Sequence, residues 1–397
     1  MRDGWSKRSL GDVATIYNGN SINAEEKKKR YLGQMQGLPF IATKDVGNDG
    51  VIDYENGVRI PNFKDFKVAY PNSVFVCAEG GSAGKKVAFI EREVCFGNKL
   101  FALQPKKHLL EGRYLYYFVQ SQAFKENFRQ LITGIIGGVS SKKFKEIPII
   151  LSPLPEQQRV VEILDQEFAK IDALKANVEK SLQSAKDLYT SIQTSVLENK
   201  TWDRYSLNDV CRLITDGTHR TPKYQDSGIP FLSVKNITGG FLDMNDTKHI
   251  SEAEHQELIK RCKPEFNDIL YSKVGTTGVA KVIDTYEEFS IFVSLALLKV
   301  KQDIVSSSML ERILNAPYVR EQAKKLTRGT ANKNFVISDI KKVLLYIPTK
   351  NKQEQIEQEL DTYLERVLLM QENNLKTLAL CDDLKQSLLR KAFNGEL

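Results

Sequence analysis

From Pro153 to Lys200 the chain reads PLPEQQRVVEILDQEFAKIDALKANVEKSLQSAKDLYTSIQTSVLENK. After Pro155 this stretch has no proline and no glycine, and its apolar residues recur mostly at steps of three and four. These residues are Leu164, Phe168, Ile171, Val178, Leu182, Ala185, Tyr189, Ile192 and Val196, with Leu174 one place off the seam. Such spacing predicts a helix of coiled-coil type, roughly 60 Å long. A helix with so long an apolar seam needs a partner.

A second stretch of the same kind, Lys352 to Leu397, can be that partner. Its apolar residues are Ile356, Leu360, Leu364, Val367, Leu368, Leu375, Leu378, Cys381, Leu384, Leu388 and Ala392, and Gly395 gives a helix stop. Gln157-Gln158 matches Glu354-Gln355 at an offset of 197 residues. We expect the two helices to form an antiparallel coiled coil, with a globular domain at each end and a pseudo-two-fold axis between them.

The segments before the two helices also resemble each other. Trp5, Leu10, Asp12 and Val13 recur as Trp202, Leu207, Asp209 and Val210, again 197 residues later. Further matches join 38–46 to 229–237, 81–84 to 275–278, and Gly134 to Gly329. The order and spacing are kept while most other residues differ, which indicates a tandem duplication of a unit of about 200 residues.

Within each globular segment, short apolar runs alternate with turn-forming residues. Strands are predicted at 73–77, 86–90, 100–103, 269–271, 280–283 and 293–300. Amphipathic helices are predicted at 115–131 and 308–326. The fold class is therefore mixed α/β (α+β), with two globular domains and two long helices. The predicted boundaries are 1–152, 153–200, 201–348 and 349–397.

Charge is distributed unevenly along the chain, whose net charge is +7. Residues 1–152 carry 23 Lys and Arg against 15 Asp and Glu, and 200–348 carry 22 against 18, whereas both helices are mildly acidic. A basic surface on the domains favours a nucleic-acid partner. No run of 18 apolar residues predicts a membrane span, and five scattered cysteines fit reduced thiols in a cytoplasmic protein.

Motifs for binding a nucleotide or a metal ion are missing from the sequence. A phosphate loop at 80–86 would need glycine where Glu79 stands and Ser or Thr where Lys86 stands. The four histidines lack metal-ligand spacing, and the chain has no GxGxxG motif. We therefore expect no catalytic residue, no metal site and no cofactor in this chain.

Polar loops that contain glycine provide the candidate DNA contacts. Arg, Asn and Gln can bond to base edges, whereas Lys, Ser and Thr commonly bind phosphates. The candidates in the first domain are Asn20, Ser21, Lys44, Ser82, Lys85, Lys86, Ser140, Ser141, Lys142 and Lys143. The candidates in the second domain are Thr218, His219, Arg220, Thr221, Lys235, Asn236, Lys273, Thr276, Thr277, Arg328, Thr330, Asn332, Lys333 and Asn334. The alternative for any one loop is that its residues only form turns.

Taken together, the sequence resembles the specificity subunits of type I restriction–modification systems. The strongest likenesses lie at 153–158, at Asp216-Gly-Thr-His-Arg-Thr-Pro222 and at the closing LLRKAFNGEL. The resemblance implies that each domain reads one half of a split, asymmetric DNA site, while the helices space the domains and dock two modification subunits. The first domain lacks a clear Gly-Thr-His-x-Thr-Pro match, which leaves its DNA contacts less defined.

The same resemblance implies which partners the chain has. Modification subunits would bring S-adenosylmethionine and methylate adenine, and motor-nuclease restriction subunits would add cleavage. The acidic helices suit protein contact better than DNA contact, and the residues expected at the partner surface are Glu156, Gln157, Gln158, Glu354 and Gln355. The alternatives are a coiled-coil scaffold with no DNA role and a nuclease with an unrecognised site.

Overall fold

The computed structural model describes residues 4–133, 137–329 and 333–397. These residues divide into two compact units. The first unit contains residues 1–178 and 375–397, and the second contains residues 179–374. Each unit thus combines one globular domain with half of each long helix.

The described residues of the globular domain of the first unit form ten strands. Its elements are β1 (Ser6–Ser9), α1 (Leu10–Val13), β2 (Ala14–Asn18), α2 (Ala24–Glu26, continued by a π-helical turn Lys27–Tyr31), β3 (Leu38–Ile41), β4 (Arg59–Ile60), β5 (Val68–Ala69), β6 (Val74–Cys77), β7 (Val87–Phe89), β8 (Val94–Phe96), β9 (Leu100–Pro105), α3 (Gly112–Gln120), α4 (Gln122–Gln130), α5 (Ser141–Lys145) and β10 (Pro148–Leu151). They form three small sheets, ordered β1-β10, β2-β9-β6-β7 and β4-β3-β8-β5.

The domain of the second unit repeats this plan. After the first long helix, α6 (Leu154–Leu197), come β11 (Asp203–Ser206), β12 (Cys211–Asp216), β13 (Ile229–Leu232), β14 (Lys248–Ile250), α7 (Glu252–Ile259), β15 (Ile269–Ser272), β16 (Ala280–Val282), β17 (Ser290–Ile291), β18 (Leu295–Val300), α8 (Ser307–Asn315), α9 (Pro317–Leu326), α10 (Ile337–Ile340), β19 (Leu344–Ile347) and the second long helix, α11 (Lys350–Asn394). The sheets run β11-β19, β12-β18-β15-β16 and β14-β13-β17. The parallel pair β3·β8 recurs as β13·β17, so the internal repeat predicted from the sequence is confirmed in the topology.

All six predicted strands are present within one or two residues of their predicted ends, but each predicted helix is two helices. Ser121 is extended (φ −68°, ψ 152°) and its hydroxyl caps α4 by accepting a hydrogen bond from the Phe124 amide at 3.2 Å. Ala316 is likewise extended and precedes Pro317, the first residue of α9. Proline fits a first helical turn and disfavours helical backbone in the residue before it, so the break falls at this point.

The two long helices pair within each unit. In the first unit, Lys175 of α6 contacts Asp382 of α11, and Asp172 of α6 contacts Lys385 of α11. Residue numbers rise along α6 while those of their partners fall along α11, so the two helices are antiparallel. In the second unit, Asn374 donates to Ser181 Oγ at 3.1 Å. The expected antiparallel pairing is therefore present in both units.

The apolar seam of α11 differs from the prediction. Leu368, Leu375 and Leu384 are 54%, 60% and 51% exposed, although Leu360, Cys381 and Ala392 are buried. Successive helical residues point about 100° apart, so the run Val367 to Met370 cannot face one partner helix as a whole. α11 consequently keeps several apolar side chains that the described residues leave exposed.

Each domain core continues onto the helices. In the first unit, Val160, Leu164 and Phe168 of α6 are buried together with Leu389 and Phe393 of α11 in the domain's main core. In the second unit, Leu197 and Leu360 join the equivalent core. In each unit, the globular domain and the adjoining parts of α6 and α11 therefore share one hydrophobic core.

Candidate nucleic-acid interface

Hydrogen bonds bring three loops of the second domain together. The loop after β12 (216–222) is joined to residue 293, whose amide bonds to the Thr218 carbonyl at 3.0 Å. The turn after β15 (273–278) is joined to the loop after α9 (327–335) by Gly275 N to Lys333 O, 3.2 Å, and Phe335 N to Lys273 O, 2.7 Å. These loops contain most of the candidate residues of this domain.

A buried carboxylate connects the first two loops. Asp216 is 5% exposed, and its Oδ2 accepts a hydrogen bond from Lys273 Nζ at 2.8 Å. Arg261 contacts its other oxygen, and His219 Nε2 lies 3.2 Å from Oδ2. Burial would raise the pKa of Asp216, but the hydrogen bond and charge of Lys273, with His219 and Arg261, hold that pKa below its usual value.

The three basic side chains around Asp216 differ in exposure: Lys273 is buried, whereas His219 and Arg261 are exposed. Lys273, which was predicted to contact DNA, has a side chain that is only 5% exposed and pairs with Asp216, so its ammonium group does not lie at the surface of this structure. His219 and Arg261 are 62% and 57% exposed at their side chains and are oriented by the same carboxylate. Arg261 was not among the predicted residues, because it lies 45 residues from Asp216 and has no motif around it.

Three other candidate residues of the loop after β12, Thr218, Arg220 and Thr221, are at least partly exposed. Thr218 Oγ1 accepts from the Arg220 amide at 3.2 Å, an arrangement that fixes the turn. Arg220 and Thr221 are exposed. Gly217 is required at this point, because a Cβ there would fall 2.1 Å from the Ile291 carbonyl oxygen.

The turn at 273–278 and the loop at 327–335 border a polar depression of about 470 Å³. Thr276 is exposed, and Thr277 hydrogen-bonds to Thr327 through the two hydroxyls at 2.9 Å. Arg320 and Lys324 line the same depression, and Lys333 lies at its edge. Hydroxyls and cations in this arrangement suit a phosphate group.

Two candidates in the loop after α9 are placed on its surface. Arg328 is 69% exposed at its side chain and pairs with Asp339 at 2.5 Å, while Asn334 is exposed and its backbone pairs with that of Arg328. Thr330 and Asn332 lie outside the described residues.

The 3₁₀ turn at Val234–Asn236 contains one available candidate and one buried residue. Lys235 is exposed and pairs with Asp246 at 2.9 Å. Asn236 is 1% exposed; its Oδ1 accepts from the Ser233 amide, and its Nδ2 donates to the Asp243 and Asp246 carbonyls. Asn236, which was predicted to contact DNA, therefore uses both polar atoms of its side chain inside the domain and does not present them at the surface.

The first domain repeats the frame with different side chains. Gly80 N bonds to Gly137 O at 2.7 Å, as Gly275 N bonds to Lys333 O. Gly80 and Gly275 both have positive φ (81° and 77°), so the sequence match that aligned Gly81 with Gly275 was one residue out. Asn18 occupies the position of Asp216. Gly19 packs against the Phe96 carbonyl as Gly217 packs against the Ile291 carbonyl, and neither position has room for a Cβ.

Where the second domain has Lys273, the first has Ala78. The Ala78 carbonyl accepts from Val139 N as the Lys273 carbonyl accepts from Phe335 N. The buried ion pair of the second domain therefore has no counterpart at Asn18 and Ala78. Two domains with one backbone frame and different side chains can present different chemical surfaces.

The candidates of the first domain are mostly exposed, with two qualifications. Asn20 Oδ1 accepts from Lys67 N at 2.7 Å, and Lys86 Nζ donates to the Thr43 carbonyl at 3.2 Å, so both side chains also hold loops in place. Lys44 is 73% exposed at its side chain. The remaining candidates, all at least partly exposed, are Ser21, Ser82, Lys85, Ser140, Ser141, Lys142 and Lys143. The last four belong to the start of α5, where the Ser140 hydroxyl accepts from Lys143 N.

The glutamines at the starts of the long helices have structural roles. Gln157 is fully buried: its Nε2 donates to the Ser152 and Leu109 carbonyls, and its Oε1 accepts from Glu111 N. Gln353 makes the same three bonds, to Pro348, Ile304 and Ser306. Gln157, which was predicted to contact a partner, therefore does not lie at the surface of this structure, and its equivalent is Gln353, not a residue of the Glu354-Gln355 pair.

The other residues predicted to contact a partner remain accessible. Gln158, Glu354 and Gln355 are exposed, and Glu156, which is partly exposed, pairs with Arg159 at 2.8 Å. Within the described ranges, no group of three or more His, Cys, Asp or Glu side chains could hold a metal ion. None of the helices that the structure describes is both long and apolar enough to cross a bilayer.

Comparisons with known proteins agree with this architecture. The family model for the type I restriction modification DNA specificity domain matches the chain twice, at residues 2–184 and 199–378. The specificity subunits of the type I restriction enzymes EcoKI (Escherichia coli strain K12) and EcoBI (Escherichia coli) are 22% and 24% identical. Their alignments cover all of this chain and 90% and 87% of the relatives.

Solved structures show the same fold. One, concerned with the complex assembly and conformational transition of the type I R-M system, superposes with a TM-score of 0.76 at 16% identity. The superposition covers 99% of that chain and 100% of this one. The HsdS subunit from Thermoanaerobacter tengcongensis gives a TM-score of 0.58 at 16% identity, with 98% of that chain covered. With both halves matched by one family model, the chain belongs to the type I restriction–modification DNA specificity subunits, which recognise DNA sequence and are not catalytic.

Proposed function

We propose that each domain of this specificity subunit reads one half of a bipartite, asymmetric DNA site. The proposal rests on two matched sets of loops, one in each domain. The two sets share equivalent backbone hydrogen bonds but carry different side chains. At positions with matching backbone pairing, the second domain has His219 and Arg328 where the first has Ser21 and Thr133. Different groups at equivalent positions would bind different base sequences.

The domain boundaries belong to the same proposal. Residues 1–152 and 201–348 act as two target recognition domains, and residues 153–200 and 349–397 act as the spacing and docking helices. Each domain shares a core with its own ends of the helices, which supports a rigid coupling between recognition and spacing.

The helices, we propose further, dock two modification subunits. α11 exposes Leu368, Leu369 and Met370 in the second unit and Leu375, Leu380 and Leu384 in the first. Exposed apolar side chains on helices that already have a partner suit a protein contact. The exposed Gln158, Glu354 and Gln355 would form polar parts of this contact, and the mild acidity of both helices disfavours DNA in that place.

Catalysis in this proposal belongs to the partners. The modification subunits bind S-adenosylmethionine and methylate adenine, and the restriction subunits supply the motor and the nuclease. This chain determines which DNA sequence the complex recognises, and it acts in the cytoplasm, where the DNA and the partners are. Its five cysteines are free and buried, which accords with a reducing compartment.

The experiment is co-purification of the full chain with its modification subunit, followed by methylation mapping on genomic DNA. The expected result is one split motif with two unlike halves and a fixed spacer. A complex that methylates nothing, or that methylates an undivided motif, would contradict the proposal. The chain without its partners should neither methylate DNA with S-adenosylmethionine nor cut it with Mg²⁺, which separates this function from that of a nuclease. Specific binding by the complex excludes a scaffold without a DNA role.

A further inference from the structure

A basic helix in the first domain is not part of the interface described above. Lys27, Lys28, Lys29 and Arg30 form its second half, after α2, as a π-helical turn that ends at Tyr31. Asn23 caps the first turn, its Oδ1 accepting from Glu26 N at 2.8 Å. Four successive cations give this short segment a concentrated positive charge, offset in part by two glutamates.

The helix lies where the second domain has the loop after Asp216. Both segments follow an equivalent glycine, Gly19 or Gly217, and both end at an equivalent strand, β3 or β13. The first domain uses 18 residues (20–37) for this connection and the second uses 11 (218–228). The first domain thus lacks the Gly-Thr-His-Arg-Thr-Pro sequence and carries a longer, more basic element in its place.

Contacts place the helix beside the other candidates of its domain. Lys27 Nζ lies 5.2 Å from the centroid of the Phe40 ring. Burial lowers the pKa of Lys27, opposed by the charge of Asp45 and helped by that of Lys44, so these groups are neighbours. Lys86 reaches the same turn through its bond to the Thr43 carbonyl. Lysines 27, 44 and 86 therefore belong to one surface.

The outward side of the helix is available to a ligand. Lys29 and Arg30 are more than 70% exposed at their side chains and pair with Glu25 and Glu26 at 2.6 and 3.4 Å. Exposed pairs of this kind contribute little stability, so a phosphate can replace the carboxylate at small cost. Lys28 is also exposed.

The helix leads into a projecting loop between two glycines. Gly33 and Gly37 have φ of 79° and 98°, and between them Met35 is 90% exposed. Gln34 donates to the Arg30 carbonyl at 3.1 Å, which ties the loop to the helix, and Gln36 is exposed. Glutamine can bond to adenine through two atoms, and an apolar side chain can contact the thymine methyl group.

We propose that residues 24–36 are the main DNA-contacting element of the first domain. The basic helix binds backbone phosphates, and the tip of the loop, Met35 and Gln36, contacts base edges of the first half-site. This inference rests on the proposed function, because it assigns the residues through which one of the two domains reads DNA.

The phosphate contacts are tested by the salt dependence of DNA binding. The full chain, in complex with its modification subunit, is made with Lys28→Gln, Lys29→Gln and Arg30→Gln together. We expect weaker binding to every sequence and a salt slope that falls by about one for each phosphate that is no longer bound. The matched control is Lys7→Gln with Arg8→Gln and Lys107→Gln, which removes the same charge from exposed positions outside the segment and should leave the slope unchanged. Equal slopes for both triple variants would overturn the phosphate role.

The base contacts are tested by mapping methylation with Met35→Ala and Gln36→Ala complexes. Both side chains are exposed, so folding should be unaffected, and relaxed or altered preference is expected in the first half-site alone. An unchanged first half-site in both variants, with the wild-type complex still methylating a split motif, would overturn the inference and leave the proposed function standing. A wild-type complex without a split motif would instead count against the proposed function itself.

Discussion

The ammonium group of Lys273 lies 2.8 Å from the carboxylate of Asp216, and both side chains are buried in the second domain. The same carboxylate orients the exposed His219 and Arg261, so one buried anion connects the core to side chains of the candidate interface. A substitution at this pair should therefore affect both stability and recognition.

Replacing Asp216 with Asn should destabilise the second domain more than replacing both partners. The single variant Asp216→Asn leaves Lys273 buried and unpaired, at a cost of about 3–5 kcal/mol. The double variant Asp216→Asn with Lys273→Ala reproduces the Asn18 and Ala78 of the first domain and should recover part of that loss. Denaturant unfolding of the full chain measures both values. A double variant less stable than the single one would show that the pair is not the source of the effect.

The Asp216 cluster also predicts a dependence of stability on pH. The pKa of this carboxyl is lower in the folded chain than its ordinary value of about 4. The deprotonated form is therefore favoured by folding, and its contribution is complete above the ordinary pKa and lost as the pH falls through the folded one. The free energy of unfolding of the second domain should decline below about pH 4. Asp216→Asn should flatten this decline, and equal acid sensitivity in both proteins would contradict the assignment.

Gln157 and Gln353 should matter to stability and their exposed neighbours should not. Alanine at either position leaves two carbonyls and one amide without their bonds near a helix start, which should lower the free energy of unfolding by about 1–3 kcal/mol. Gln158→Ala and Gln355→Ala are the controls, because both side chains are exposed. If Gln157→Ala unfolds like the wild type yet no longer binds the modification subunit, Gln157 would contact the partner after all.

Gln157 and Gln353 show which features of the fold can be predicted from the sequence and which cannot. The repeat, the two long helices and the six strands tested are readable from periodicity and turn residues, which are local properties. The exact equivalence of Gln157 and Gln353 is not, because the adjacent Glu354-Gln355 offers an equally good match by residue type. Only the hydrogen-bond partners, more than 40 residues away in the chain, decide between them.

The burial of individual side chains at the candidate site could not be predicted from the sequence. Lys273 and Asn236 have residue types suited to DNA, but their exposure depends on tertiary contacts with Asp216 and with the carbonyls of residues 243 and 246. Arg261 was missed for the converse reason, since only folding brings it to Asp216. Leu368, Leu375 and Leu384 fit a helical period yet stay exposed, because one helix face can bury only part of a broad apolar stripe.

Arg328 should read the second half-site. Its guanidinium is exposed and pairs with Asp339, and Lys342 pairs with the same carboxyl at 3.1 Å. Arg328→Gln and Lys342→Gln thus remove equivalent structural contacts, and only the former is expected to relax the second half of the methylated motif, by about 1–3 kcal/mol if Arg328 bonds to a base. Methylation mapping distinguishes them. Changes in both halves, or equal changes for both variants, would be against this role; Asn332 carries the same prediction and lies outside the described residues.

The two long helices should set the spacer between the half-sites. They have 44 and 45 residues, and the boundary between the two compact units falls at residues 178/179 and 374/375. Seven residues inserted in both helices at these points would add about 10 Å and keep the heptad phase. At about 3.4 Å per base pair, this corresponds to roughly three more base pairs between the half-sites.

The same double insertion should also weaken binding, because protein and DNA would turn by different amounts. Seven residues turn an α-helix only about 20° short of two full turns, whereas three base pairs at roughly 10.5 per turn rotate the DNA by about 100°. The DNA must twist or the domains must swivel, so affinity should fall even on a site with the longer spacer. An insertion in α6 alone should break the pairing with α11 and abolish assembly. Methylation mapping in a strain carrying the double insertion tests the spacing directly. An active variant with both half-sites and the spacer unchanged would show that the helices do not set it.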